Sequence, residues 1–160
     1  MRTTGPMPMC SLPEGFMKKE VNKLLKSLGK SLGLKNLILD DNNHCILLFD
    51  EKIVLNLELK EETERLVVYA YVGEVPLEDR ENVFECLLEA NCFWKETGGA
   101  TIGIDKQSQT IVLAYSVDLP LKKPEAFEEN LASFVEVVET WVDRLEKMAQ
   151  AAAEVLGDDE

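Results

Sequence analysis

His44 and Cys45 are the residues best equipped for chemistry, because an imidazole beside a thiol can generate a thiolate nucleophile. They are neighbours in an apolar run that reads as a strand, where successive side chains point to opposite faces. They therefore cannot act as a nucleophile–base pair. His44 is also the only histidine, so one subunit holds no histidine pair for a metal. The four cysteines (Cys10, Cys45, Cys86, Cys92) form no CxxC pair and show no metal-like spacing. They read as small buried hydrophobes, and two disulfides are disfavoured in a chain without an export signal. The carboxylates fall in turns and on polar helix faces, where choosing an acid–base pair would be arbitrary. Gly98-Gly99-Ala100 precedes a strand, whereas phosphate-cradling loops lead into a helix and carry Gly-Lys-Ser/Thr. The expectation is a chain with no catalytic residues, no metal and no cofactor.

Charge narrows the partners. The 160 residues suit one domain with a real core, and the formal charge is −13 with a pI near 4.6. Phosphate binding needs a cationic face, so nucleic acid is not expected. No apolar run reaches the length of a membrane span, and Met1–Met9 lacks the continuous apolar stretch of a signal peptide. A cytoplasmic location is expected. One segment goes against the acidic background. Residues 14–35 hold six lysines (Lys18, Lys19, Lys23, Lys26, Lys30, Lys35) against two acids, while residues 36–160 hold ten basic and 28 acidic side chains. This is either a solvated face or the seat of a partner with acidic groups.

The elements that position these residues follow from periodicity. Residues 1–13 are non-periodic and read as a flexible lead-in. Helix 1 is expected from about Glu14 to Leu32, with Met17, Val21, Leu24, Leu25, Leu28 and Leu32 on one face and Gly33 as its stop. Strands follow at Cys45–Phe49, at Ile53–Lys60 with alternating leucines, and at Leu66–Val72. Helix 2 is expected over Arg80–Trp94, then a hairpin of Ala100–Ile104 and Gln109–Val117. A long helix over Glu125–Ala152 comes next, before an acidic end at 154–160 that frays. The order α-β-β-β-α-β-β-α implies an α+β domain over residues 14–153, with three helices packed on an antiparallel sheet.

Helix 2 carries two apolar rows, Val83, Leu87, Ala90 and Trp94 beside Phe84, Leu88 and Asn91, with Phe93 at the far end. A helix on a sheet needs one stripe, so the second row is expected at a subunit interface. The Gly98-Gly99 step would let a second backbone approach closely. On the last helix Phe127, Leu131, Phe134, Val138, Trp141, Leu145 and Met148 repeat with 4-3 spacing, which suits one helix closing over a sheet or a coiled-coil seam.

Leu87-Leu88-Glu89-Ala90-Asn91, then Phe93, then Thr97-Gly98-Gly99-Ala100-Thr101-Ile102-Gly103-Ile104-Asp105, closely resembles the signature region of class I type III secretion chaperones, the Tir chaperone-like family. The resemblance covers roughly residues 14–150. It implies a homodimer that binds the N-terminal segment of secreted effector proteins in the bacterial cytosol and keeps it soluble and export-competent. Phe84, Leu87, Leu88, Asn91, Phe93, Trp94, Gly98, Gly99, Ala100 and Ile102 would then build the dimer. Val21, Leu24, Leu28, Ile46, Leu48 and Val54 would hold the effector, and a second chaperone subunit or a secretion ATPase would be further partners. Two features depart from the family pattern: Trp94 stands where a smaller residue is expected, and the lead-in is long. A non-secretion adaptor or regulator of the same fold, and an enzyme with an unrecognised site, are the competing classes. An enzyme needs a polar pocket with perturbed carboxylates, whereas a chaperone needs exposed apolar patches.

Overall fold

In the computed structural model Pro13 and residues 15–157 are described. The expected lead-in up to residue 12, Cys10 and residues 158–160 lie outside them. The order is α1 (Phe16–Leu32), β1 (His44–Phe49), β2 (Ile53–Lys60), β3 (Arg65–Glu74), α2 (Arg80–Asn91), a 3-10 turn (Cys92–Trp94), β4 (Thr101–Asp105), β5 (Thr110–Asp118) and α3 (Ala126–Gly157). This is the expected α-β-β-β-α-β-β-α succession. The strands form one antiparallel sheet in the order β1-β2-β3-β5-β4. The edges are therefore β1 and β4.

Alternation in the strands splits the sheet into two unlike faces. Leu47, Leu55, Leu57, Leu66, Val68 and Leu113 point to the helices and are at most 1% exposed. Val21, Leu25 and Leu28 of α1, Val83, Leu87 and Ala90 of α2, and Leu131, Val138 and Trp141 of α3 join them in one core. All three helices cover this face. The 4-3 row of α3 is thus a helix closing over a sheet. The other face is left to β1, β2 and β3 residues of the opposite parity, among them Ile46, Leu48, Val54 and Tyr71, each between 47% and 60% exposed.

Two boundaries differ from the expected ones. The helix of α2 ends at Asn91, because Phe93 takes a left-handed backbone (φ 56°, ψ 22°) and Trp94 follows at φ 53°. Neither residue is a glycine, so pattern alone carries no stop signal there. At the other end of the chain α3 runs through Gly157 and takes residues 154–157 out of the expected frayed tail. Alanines and leucine favour the helix up to that glycine, and no breaker precedes it.

Candidate partner-binding site

The β1 edge is built to accept a strand. In an antiparallel pair, residues alternate between bonding the neighbour and facing outward. The His44 carbonyl accepts from Asp40 N–H (2.8 Å) and its own N–H donates to Asp40 Oδ1 (3.0 Å), so His44 faces away from β2. Asn43 and Phe49 face inward, the Asn43 carbonyl accepting from Leu59 N–H (2.8 Å). By the same parity Ile46 and Leu48 turn their backbone groups outward. Among the described residues no backbone group pairs with them, and only a long 3.9 Å contact from the Cys45 thiol reaches the Ile46 carbonyl.

Beside that edge lies the open face. Leu48 sits opposite Val54 and Ile46 opposite Asn56, and the apolar strip continues through Tyr69 to Tyr71. At its centre His44 Nε2 lies 3.0 Å from Asn56 Oδ1, and the His44 ring stacks near Tyr69 at 6.4 Å. Asn56, in a position expected to face solvent, is 6% exposed under these rings. Burial pushes the Tyr69 phenol above its ordinary range, helped by Tyr71 and Glu58. The site therefore offers a flat apolar strip with unpaired backbone groups along one margin, which suits an extended peptide.

The expected effector residues divide accordingly. Ile46, Leu48 and Val54 are exposed on this face. Val21 and Leu28 are 0% and 3% exposed, sealed between α1 and the sheet, and Leu24 is half-buried against the same core. An amphipathic stripe on a helix over a sheet is consumed by that sheet, so α1 offers a partner none of the surface of Val21 or Leu28.

At the β4 edge the reverse holds. Asn91 donates from Nδ2 to the Ile102 carbonyl and accepts the Ile102 N–H on Oδ1, both at 2.8 Å. The Asn91 amide thus replaces the strand that would otherwise pair there, and it is used inside the subunit. Ala100 N–H is taken by the Thr97 carbonyl (3.1 Å). Leu87, Ala100 and Ile102 are core residues. A side chain at Gly98 would meet Val137 of α3 at 3.0 Å, so the close approach that this glycine permits is to the chain's own helix. Trp141 Nε1 donates to the Glu96 carbonyl (2.9 Å), Arg144 pairs with Glu96 (3.3 Å), and the Arg144 guanidinium stacks on Trp141 at 4.8 Å. The part of the expected dimer surface that stays exposed is Leu88 (71%), Phe93 (88%) and Trp94 (59%), with Phe84 half-buried under the Arg80 guanidinium and Gly99 open.

The cysteines are not uniformly buried. Cys45 is buried, Cys86 half-buried, and Cys92 exposed, because the 3-10 turn carries it off the helix face. Burial pushes the Cys45 and Cys86 thiols upward, away from thiolate. Among the described residues no cluster of three His, Cys, Asp or Glu side chains could hold a metal ion. No helix among them is long and apolar enough to cross a membrane.

A three-helix, single-sheet domain with one edge closed at Ala100 and Ile102, one edge open at Ile46 and Leu48, and a bare apolar face has the kind of surface that peptide-binding proteins use. Comparison gives the family. Residues 23–142 match the Tir chaperone protein (CesT) family, and the chain belongs to it. The transcriptional anti-antiactivator ExsC of Pseudomonas aeruginosa is 30% identical over 125 residues, covering 78% of this chain and 85% of that one. The Tir chaperone of Citrobacter freundii is 24% identical over 123 residues, 77% and 78% of the two chains. Among solved structures, one chain of the ExsC–ExsE complex superposes with a TM-score of 0.67 at 30% identity, over 79% of this chain and 93% of that one. The type III secretion chaperone SycH of Yersinia pestis, solved with a fragment of YscM2, shares the fold at 0.57 and 21% identity, over 75% of this chain and 98% of its own.

Proposed function

We propose that the chain is a cytoplasmic, dimeric type III secretion chaperone that holds the N-terminal segment of a secreted effector along β1 and the open sheet face. The observation that carries this reading is the outward, unpaired backbone of Ile46 and Leu48 beside exposed Ile46, Leu48 and Val54 side chains. A segment that orders on binding loses conformational entropy, and a long margin of strand pairing plus apolar burial offsets that loss. Val21, Leu24 and Leu28 contribute from within by fixing α1 to the sheet. The dimer forms through Leu88, Phe93 and Trp94, aromatic and apolar groups held out of the subunit's own core. Light scattering that reads a monomer at micromolar concentration would remove that part.

A second reading is a regulator that binds another protein without exporting it. It is favoured by the relative at 30% identity being a transcriptional anti-antiactivator. One experiment separates the two. A photo-crosslinking amino acid at position 48, in cells carrying the secretion system, is expected to capture the N-terminal region of a secreted protein. Capture of a transcription regulator alone would establish the second reading, and capture only from position 104 of β4 would overturn both placements.

A further inference from the structure

The helix α1 ends in a left-handed Gly33 whose N–H, like that of Leu34 (2.8 Å), bonds the Gly29 carbonyl. That cap turns the chain back along α1, and Asn22 Oδ1 holds it there by accepting the Leu39 N–H (2.8 Å). Between helix and returning segment lies a groove of about 720 Å³. Its walls carry Lys19, Lys23, Lys26, Lys30 and Lys35. Its floor includes Leu34 and Ile38, 37% and 59% exposed.

The five lysines are an anomaly in a chain of −13. Lys19, Lys23, Lys26 and Lys30, spaced at three and four residues on α1, repel one another, and Lys35 faces them from the returning segment. The ion pairs among the described residues use Lys60, Arg65, Arg144 and Lys147, and none of these five. Lys18, off the groove, is engaged with the Asp40 carbonyl at 3.0 Å. A concave cationic surface with an apolar floor, making no ion pair to a carboxylate among the described residues, is complementary to an anionic amphipathic chain. Nucleic acid would bring a long polyanion against the strongly acidic remainder of the surface, whereas a short peptide touches the groove alone.

The groove also adjoins the open edge. Two residues past Ile38 the returning segment reaches Asp40, which bonds the outward groups of His44 at the start of β1, so a strand added beside Ile46 would pass this segment on leaving β1. We propose that the lysine groove seats an acidic, leucine- or valine-bearing stretch of the bound partner, continuous with the part paired to β1. This rests on the reading that the partner docks at β1, and it adds the chemistry by which the partner is selected. Charge complementarity of this kind acts mainly on association rate and on rejection of wrong partners.

The test uses the full chain and short fluorescein-labelled peptides. One alternates leucine with glutamate, one leucine with lysine, and one serine with glutamate. Anisotropy is expected to show binding of the leucine–glutamate peptide alone, with affinity falling about tenfold or more in Lys19→Glu/Lys23→Glu/Lys26→Glu. The same loss is expected for the wild type on raising salt from about 0.05 to about 0.5 M. Amide chemical shifts should move at Leu34–Ile38. A glutamine version of the triple variant, with a thermal melt, guards against misfolding. Equal binding of the lysine peptide, unchanged affinity in both triple variants, or shifts confined outside the groove would overturn the proposal. So would displacement of the glutamate peptide by a single-stranded RNA oligonucleotide of matched length at lower concentration. Failure of crosslinking at position 48, with the peptide results intact, would instead remove the β1 reading and leave the groove standing.

Discussion

The two edges of the sheet are opposite solutions to one problem. An edge strand presents unpaired N–H and C=O groups that invite another chain. At β4 the Asn91 amide satisfies both groups of Ile102, and the Thr97 carbonyl takes the next outward N–H, at Ala100. At β1 only the first outward residue, His44, is closed, by Asp40, and the next two, Ile46 and Leu48, stand open. Asparagine at one edge and aspartate at the other imitate a paired strand for one residue each. The edges part company in the residues beyond. Past Asn91 the chain is bolted to α3 through Trp141, while past Asp40 the strand continues into exposed Ile46 and Leu48. On β4 only Ile104, at the far end, keeps its outward groups unpaired among the described residues, against Ile46 and Leu48 on β1, so the longer open margin lies on β1.

The strongest way to break this contrast is at Trp141, which is 1% exposed and ties Glu96 to α3. Trp141→Ala should cost about 3–5 kcal/mol in a urea melt and expose the amides of residues 96–102 to exchange. Next comes Asn91→Ala, which leaves the two Ile102 groups without partners and should cost about 1–3 kcal/mol. It should also convert β4 into a second open edge, read as crosslinking from position 104. Leu48→Asp sharpens the comparison from the other side. Because Leu48 is already exposed, stability should change by no more than about 0.5 kcal/mol, while capture of the partner by a photo-crosslinker placed at position 46 is lost. Smallest is the acid response of Asp40. Backbone hydrogen bonds from His44 and Asn42 hold its carboxyl below the ordinary aspartate value of 3.8. Its support of the β1 start is then complete above that value and is lost as pH falls through the lowered one. Exchange at the His44 amide, corrected for intrinsic acid catalysis, should rise only in that acid range, and Asp40→Asn should remove the pH dependence.

Much of this fold is legible in the sequence because its elements obey one period each. Leu55, Leu57 and Leu59 alternate as a strand must, and Val21, Leu25 and Leu28 recur as a helix face must. The surfaces are less legible. An asparagine at helical spacing after Leu87 looks like part of an interfacial row, and nothing in a linear pattern shows that its amide pairs with a strand eleven residues on. Trp94 completes the row of Val83, Leu87 and Ala90 on a helical wheel, yet two left-handed residues without a glycine end the helix first. For α1 the period identifies the buried stripe but not its owner, so Val21 and Leu28 read equally as core or as contact. The lysine excess is plain in the sequence, whereas its gathering on one groove depends on the Gly33 cap and on Asn22 reaching Leu39.

Residue-resolved amide exchange, with and without the protein captured at position 48, tests the open-edge account most directly. In the free chain the Ile46 and Leu48 amides should exchange fast, as unpaired edge groups do, while Ile102, held by Asn91, stays protected. In the complex Ile46 and Leu48 should slow about a hundredfold or more, the signature of a strand added at β1, with Ile102 unchanged. Protection of Ile46 and Leu48 already in the free chain, or no slowing on binding, would contradict the account.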